Sequence, residues 1–155
     1  MKAAKSAQLR ILVLSGPNLQ LLGTREPEIY GKETLADLHR RIKARAKELD
    51  VKVETKQSNH EGDLLDWIGG ARGKFEGMLL NGGAFTHTSL ALFDAIKAVG
   101  IPCIEVHLSN PEAREAYRHT SKIAPACVAK VSGFGGDSYV LALEGLVRYL
   151  ARRSS

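Results

Sequence analysis

The stretch that decides the fold runs from Gly77 to His107, GMLLNGGAFTHTSLALFDAIKAVGIPCIEVH. Gly77-Met78-Leu79-Leu80 reads as a buried strand. Leu90, Phe93, Ile96 and Val99 recur at three-residue steps and line one face of a helix, which Gly100 ends. Ile101 to Val106 reads as the next strand, with Pro102 near its start, where a missing N–H is tolerated. The same alternation extends both ways. Upstream, a strand at Leu9 to Leu14 precedes a helix carrying Leu35, Leu38, Ile42, Ala46 and Leu49. Asp50 introduces a strand at Val51 to Thr55, and Leu64, Leu65, Trp67 and Ile68 fit a second helix. Downstream, Pro111 to His119 reads as a short helix, Val128 to Val131 as a fifth strand, and Val140, Leu143, Leu146, Val147 and Leu150 as one face of a closing helix.

Strand and helix alternating five times predict a parallel sheet covered on both faces. Right-handed crossovers then give an α/β, flavodoxin-like, three-layer α/β/α domain with a five-stranded parallel sheet. The chain's 155 residues suit one domain and fall short of a (β/α)8 barrel, which needs roughly 200 or more. One catalytic domain is expected over residues 9–152, after a disordered or loosely ordered tail at 1–8.

The net charge of +5 raises the question of a polyanion partner. Lys2, Lys5, Arg10, Arg152 and Arg153 hold the excess. Without those five, 17 basic residues face 17 acidic ones between residues 11 and 151. The tails read as solvated ends rather than a binding arm, so no nucleic-acid partner is expected. No apolar run approaches the roughly 18 residues of a membrane span, and MKAAKSAQLR lacks the apolar stretch of a signal peptide. Cys103 and Cys127 each sit in an apolar segment and make no disulfide framework. The expected setting is a reduced, cytoplasmic one, with no membrane partner.

In such sheets ligands bind beyond the carboxyl ends of the strands. After strand one comes Ser15-Gly16-Pro17-Asn18, then a connection of about 18 residues to Glu33 that holds Arg25 and Tyr30. Its length marks it as functional or as a surface excursion. Leu19, Leu21, Leu22 and Ile29 give it apolar anchors. After strand three comes Asn81-Gly82-Gly83, then His87, with Thr88 or Ser89 able to cap the next helix. Glu105 and His107, two apart in strand four, project to one face, where a carboxylate orients an imidazole and supports its cation. The pair fits either a structural contact or a general acid. As a metal site it lacks a clear third ligand. Arg114 and Arg118, four apart, suit either an anion grip or a solvated helix face with Glu112 and Glu115. Asp94, two turns into its helix, reads as an ordinary exposed carboxylate. Ser132-Gly133-Phe134-Gly135-Gly136 is too short and wrongly spaced for a dinucleotide fingerprint, and no phosphate loop occurs. The residues alone describe a cleft for a small anionic molecule, able to transfer protons without a cofactor.

The ordered motifs resemble one family in particular. Gly16-Pro17-Asn18-Leu19, Leu22-Gly23, Arg25-Glu26-Pro27 and Tyr30-Gly31 resemble the N-terminal signature of type II 3-dehydroquinate dehydratases. The resemblance continues through Gln57-Ser58-Asn59, Asp66-Trp67-Ile68, Asn81-Gly82-Gly83, Thr86-His87-Thr88-Ser89, Asp94-Ala95 and Glu105-Val106-His107-Leu108-Ser109-Asn110. It closes with Arg114-Glu115, Tyr117-Arg118, Ser121 and Gly133-Phe134-Gly135, and spans about residues 9 to 150. Gln20 stands where the family commonly has Asn, and Ala129 where it commonly has Gly.

The resemblance implies trans elimination of water from 3-dehydroquinate through an enolate to 3-dehydroshikimate, a shikimate-pathway step, with no metal, Schiff base or other cofactor. It also implies roles. Tyr30 matches the base. Its phenol, ordinarily near pKa 10, needs lowering by roughly 2 to 3 units, which a close Arg25 guanidinium can supply. Asn18 matches the residue that steadies the enolate through a bound water. His107 matches the general acid and Glu105 its orienting carboxylate. Asn81, His87, Ser109, Arg118 and the backbone at Leu108 match substrate binders, with Arg118 facing the substrate carboxylate and Arg114 belonging with the loop or subunit contacts. Asp94 matches a residue that enters a neighbouring subunit's site, in a homododecamer built as a tetramer of trimers. Two other readings stand beside this one: a flavodoxin-like flavin or signalling module, against which the Ser-Gly-Pro-Asn end of strand one argues, and a catalytically dead assembly homologue.

Overall fold

Four apolar residues in a row, Ile11 to Leu14, and the small polar Ser15 after them are all buried, which puts their strand inside the sheet. That strand, β1 (Arg10–Ser15), lies between β2 (Lys52–Gln57) and β3 (Gly77–Asn81), and β4 (Cys103–His107) and β5 (Ala129–Ser132) complete the order β2-β1-β3-β4-β5. Every pairing is parallel. The structure, a computed structural model, describes residues 7–24 and 26–154, with Tyr30 described in its backbone only. Of the expected tail, residues 1–6 lie outside the described residues, and Gln8 donates from Nε2 to Asp50 Oδ1 at 3.0 Å.

The helices are α1 (Pro27–Tyr30), α2 (Leu35–Glu48), α3 (Glu61–Gly69), α4 (Leu90–Val99) and α5 (Asp137–Arg153). Side chains alternate across each strand. Ile11, Val13, Leu79, Ile104 and Val106 therefore meet α2 and α5, whose Leu38, Ile42, Leu143 and Leu146 close one core. Leu12, Leu14, Met78, Leu80 and Cys103 meet Leu64, Ile68, Leu92 and Ile96 of α3 and α4 in the other. The result is the expected three-layer α/β/α, flavodoxin-like fold.

Local chemistry sets the helix ends. Thr34 and Asp37 form a reciprocal capping box at α2. Of the two expected caps for α4, Ser89 is the one used, with Oγ accepting from Leu92 N at 2.9 Å, and Gly100 ends the helix in the left-handed region. Cys103 is fully buried and Cys127 half-buried, both as free thiols. A hydrogen bond with the Cys127 thiol, then burial, pushes the Cys103 thiol well above its ordinary value.

Two expectations need correction. The segment from Pro111 to His119 is two 3-10 turns, Pro111–Ala113 and Ala116–Arg118, with Arg114 extended between them. His119 Nε2 lies 2.9 Å from the Arg114 carbonyl oxygen, which takes that acceptor out of any helical ladder. In the long connection, Leu19 and Leu22 are buried as anchors, whereas Leu21 and Ile29 are exposed. No helix among the described residues is long and apolar enough to cross a membrane.

Candidate active site

The chain steps from β1 outward to β2 and then back across to β3 on the other side of β1, and this reversal of strand order opens a crevice at the carboxyl ends of these strands. The register brings Ser15, Gln57 and Asn81 level along that edge. Two loops meet there closely. Gly16 N donates to the Asn81 carbonyl at 2.8 Å, and a Cβ on Gly16 would lie 2.6 Å from the Gly82 carbonyl oxygen. Only glycine allows that approach.

A cleft open to solvent occupies this end of the sheet, where ligands of such folds bind. The loop after β1 contributes Asn18, the end of β3 contributes Asn81, and the turn after it contributes His87. β4 and its following loop contribute His107, Leu108 and Ser109, and the 3-10 turns contribute Arg114 and Arg118. Asp94 does not join them: it is exposed on α4. Arg25 lies outside the described residues. Tyr30 is the last residue of α1, and its side chain lies outside them too.

Behind His107, Glu105 is wholly buried, and its Oε2 lies 2.5 Å from His107 Nε2. Ser121 Oγ donates to the other oxygen at 2.8 Å. Burial pushes the Glu105 carboxyl up, but hydrogen bonding and charge from His107, the Ser121 hydroxyl and the Lys130 ammonium hold it below the ordinary carboxylate value. With Nε2 committed to Glu105, Nδ1 is the atom through which His107 can serve a bound molecule. The His87 ring stacks on that of His107 with centroids 6.5 Å apart, and its Nδ1 lies 2.8 Å from the Thr120 carbonyl oxygen.

The arginines do not share an i,i+4 helix face, because the segment that carries them is not one helix. Arg114 reaches Ser109 Oγ at 3.3 Å and is largely buried. Arg118 Nε donates to Glu115 Oε2 at 2.8 Å, and its guanidinium stands over the Tyr117 ring. Burial opposes its charge, yet Glu115 raises its pKa overall.

Three residues support the site in roles the sequence did not assign: Asn59, Gln57 and Tyr139. Asn18 has a positive φ of 69°, and its N–H donates to Asn59 Oδ1 at 2.9 Å. Gln57 Nε2 reaches Gly16 O, Gln20 Oε1 and Asn59 Oδ1, each at 3.1 Å. Tyr139, fully buried at the start of α5, has its hydroxyl 2.9 Å from Ser15 Oγ. Burial pushes its phenol up to about 12, against hydrogen bonds from Ser15 and Asn81. The position of Gln57 and Asn59 just past a strand's carboxyl end was the available signal. For Tyr139 there was none beyond its place next to the apolar helix face.

Fold and site define an open cleft in a doubly wound domain, with a buried carboxylate behind an imidazole: the equipment of a small-molecule enzyme that moves protons. Comparison with known proteins narrows this. Residues 9–147 match the family model described as Dehydroquinase class II. A 3-dehydroquinate dehydratase of Gloeobacter violaceus is 52% identical over 149 residues, covering 96% of this chain and 93% of the relative. One of Nostoc sp. is 56% identical over 142 residues, covering 92% and 97%. The crystal structure of a type II dehydroquinase from Butyrivibrio crossotus superposes with a TM-score of 0.88 at 42% identity, covering 90% of this chain and 97% of that one. The chain belongs to the class II dehydroquinase family and is an enzyme of the hydro-lyase type.

Proposed function

We propose that this chain removes water from 3-dehydroquinate by trans elimination, through an enolate, to give 3-dehydroshikimate in the shikimate pathway. The observation that carries the reading is the buried Glu105–His107 pair opening into a cleft that also holds Asn18, Asn81, Ser109 and Arg118.

Tyr30, its phenolate favoured by the Arg25 guanidinium, takes the proton next to the ketone. Asn18 steadies the negative oxygen of the enolate, a role that its anchoring to Asn59 suits. His107 delivers a proton to the departing hydroxyl, and Glu105 stabilises the imidazolium that does so. Asn81, His87, Ser109 and the Leu108 backbone fix the ring and its hydroxyls. Arg118 pairs with the substrate carboxylate, which must share the guanidinium with Glu115. Asp94, exposed on α4, completes a neighbouring subunit's cleft in a homododecamer arranged as a tetramer of trimers. The enzyme works in the cytoplasm. This chemistry draws on side chains alone.

The test is optical. 3-Dehydroshikimate is a conjugated enone, so turnover of 3-dehydroquinate raises ultraviolet absorbance. Folded protein that gives no rise sinks the proposal. Tyr30→Phe is expected to abolish the rise while leaving fold and ligand binding intact, and near-native activity would remove Tyr30 as base.

A further inference from the structure

Glu105 and Lys130 are register partners on the adjacent parallel strands β4 and β5, so their side chains share the sheet face that carries His107. Lys130 Nζ lies 3.9 Å from Glu105 Oε2, the same oxygen that meets His107, and 3.2 Å from Glu112 Oε1 in the turn after β4. Lys130 is exposed as a residue although its side chain is only 29% accessible, Glu105 is wholly buried, and Glu112 is exposed. A strand lysine at a sheet edge would ordinarily reach into water. This one turns inward to a buried carboxylate.

We propose that Lys130 is a positioning residue for the dehydration, fixing the ionised Glu105 behind His107 and tying the turn after β4 to that carboxylate through Glu112. The inference rests on the proposed function, since it presumes that His107 is the working acid. A buried carboxylate can stay anionic only with compensating donors or charge. Ser121 satisfies one oxygen. The other faces His107, whose charge changes during turnover. When the imidazole has given up its proton, Lys130 is, among the described residues, the cation that remains within ion-pair distance of that oxygen. The surrounding groups are His87 from the turn after β3, Ser121 from the segment before β5, Glu112, Arg114 and Arg118 from the loop after β4, and the Cys103 thiol on β4 itself. Among them, Lys130 is the cation paired directly with Glu105.

The sign follows from the charge removed. Without Lys130, Glu105 holds its proton to higher pH, and the protonated carboxyl no longer supports an imidazolium. In Lys130→Met the acid limb of the kcat–pH profile should move to higher pH. At its foot kcat should fall roughly threefold or more, with KM within about twofold because Lys130 does not line the cleft. Lys130→Arg keeps the charge and should restore the native profile. If Lys130→Met does not fold, Lys130→Gln serves the same comparison. Active wild-type protein with an unshifted profile in the neutral variant overturns the role of Lys130 alone, as does an arginine variant no better than the neutral one. Wild-type protein inactive on 3-dehydroquinate overturns both this inference and the function beneath it.

Discussion

Glu105 has no exposed surface, and its two oxygens are divided between His107 and Ser121. Its depressed pKa has a consequence for stability as well as chemistry. A carboxyl held below its unfolded value contributes stability that is full above that unfolded value and is lost as pH falls through the folded one. Glu105→Gln should therefore flatten the acid side of the stability curve, read as the thermal midpoint between about pH 6 and pH 3. It should also lower kcat by about a hundredfold at neutral pH, measured in the absorbance assay, because the neutral amide cannot support the imidazolium. A variant with native activity would make the buried pair a structural contact, the alternative that the sequence left open. Asn18 shows a different residue-scale device. A positive φ at a non-glycine residue is uncommon, and asparagine is among those that tolerate it best.

The turn after β3 joins sheet, cleft and helix within a few residues. Ser89 caps α4 and also donates to Glu61 Oε1 of α3 at 3.1 Å. Ser89→Ala should cost about 1 kcal/mol, a fall of about 2–4 °C in thermal midpoint for a chain of this size. Gly16→Ala should do more harm. Its Cβ would press on the backbone of Gly82 rather than on a side chain able to move, so a loss of about 1–3 kcal/mol should accompany reduced turnover, because Asn18 and Asn81 flank the contact. Native stability in that variant would show the loops to be freer than described. At this scale the sequence was readable wherever burial wrote a period. β1 from Ile11 onward, β3 and β4 are runs of buried residues, apolar except for Ser15, Asn81, Glu105 and His107, and α2, α4 and α5 carry one apolar face each. The misreading at Pro111 to His119 has a tertiary cause, since the imidazole of His119 takes a carbonyl that a helix would need. Lys130 and Tyr139 were invisible for a related reason. A lysine in a strand reads as an edge, and a tyrosine beside a helix face reads as packing, until the partner strand or the hydroxyl's neighbour is known.

Across the whole molecule, the cleft's residues come from the loops after β1, β3 and β4, so the site depends on the complete sheet. Large apolar side chains remain on the outside. Leu90, Tyr117 and Phe134 are each more than 60% exposed, and Leu90 stands one helical turn from Asp94. If subunits complete one another's clefts, sedimentation should show an assembly at assay concentrations. Asp94→Ala should then lower turnover about tenfold or more, with each chain's own fold unchanged by circular dichroism. A purely monomeric, fully active protein would count against the shared cleft.

Tyr139 carries one further consequence. The chain has four tyrosines. The proposed reaction needs one of them, Tyr30, as an anion near neutrality, while the scaffold keeps another neutral to about pH 12. Burial of Tyr139 thus stabilises the fold fully below pH 10 and withdraws that support as pH climbs through 12. Followed by ultraviolet difference spectra, an alkaline titration should separate these two phenols into an early step and a late one. The late step should coincide with unfolding, because the hydroxyl that would ionise is bonded to Ser15 in β1, an interior strand of the sheet.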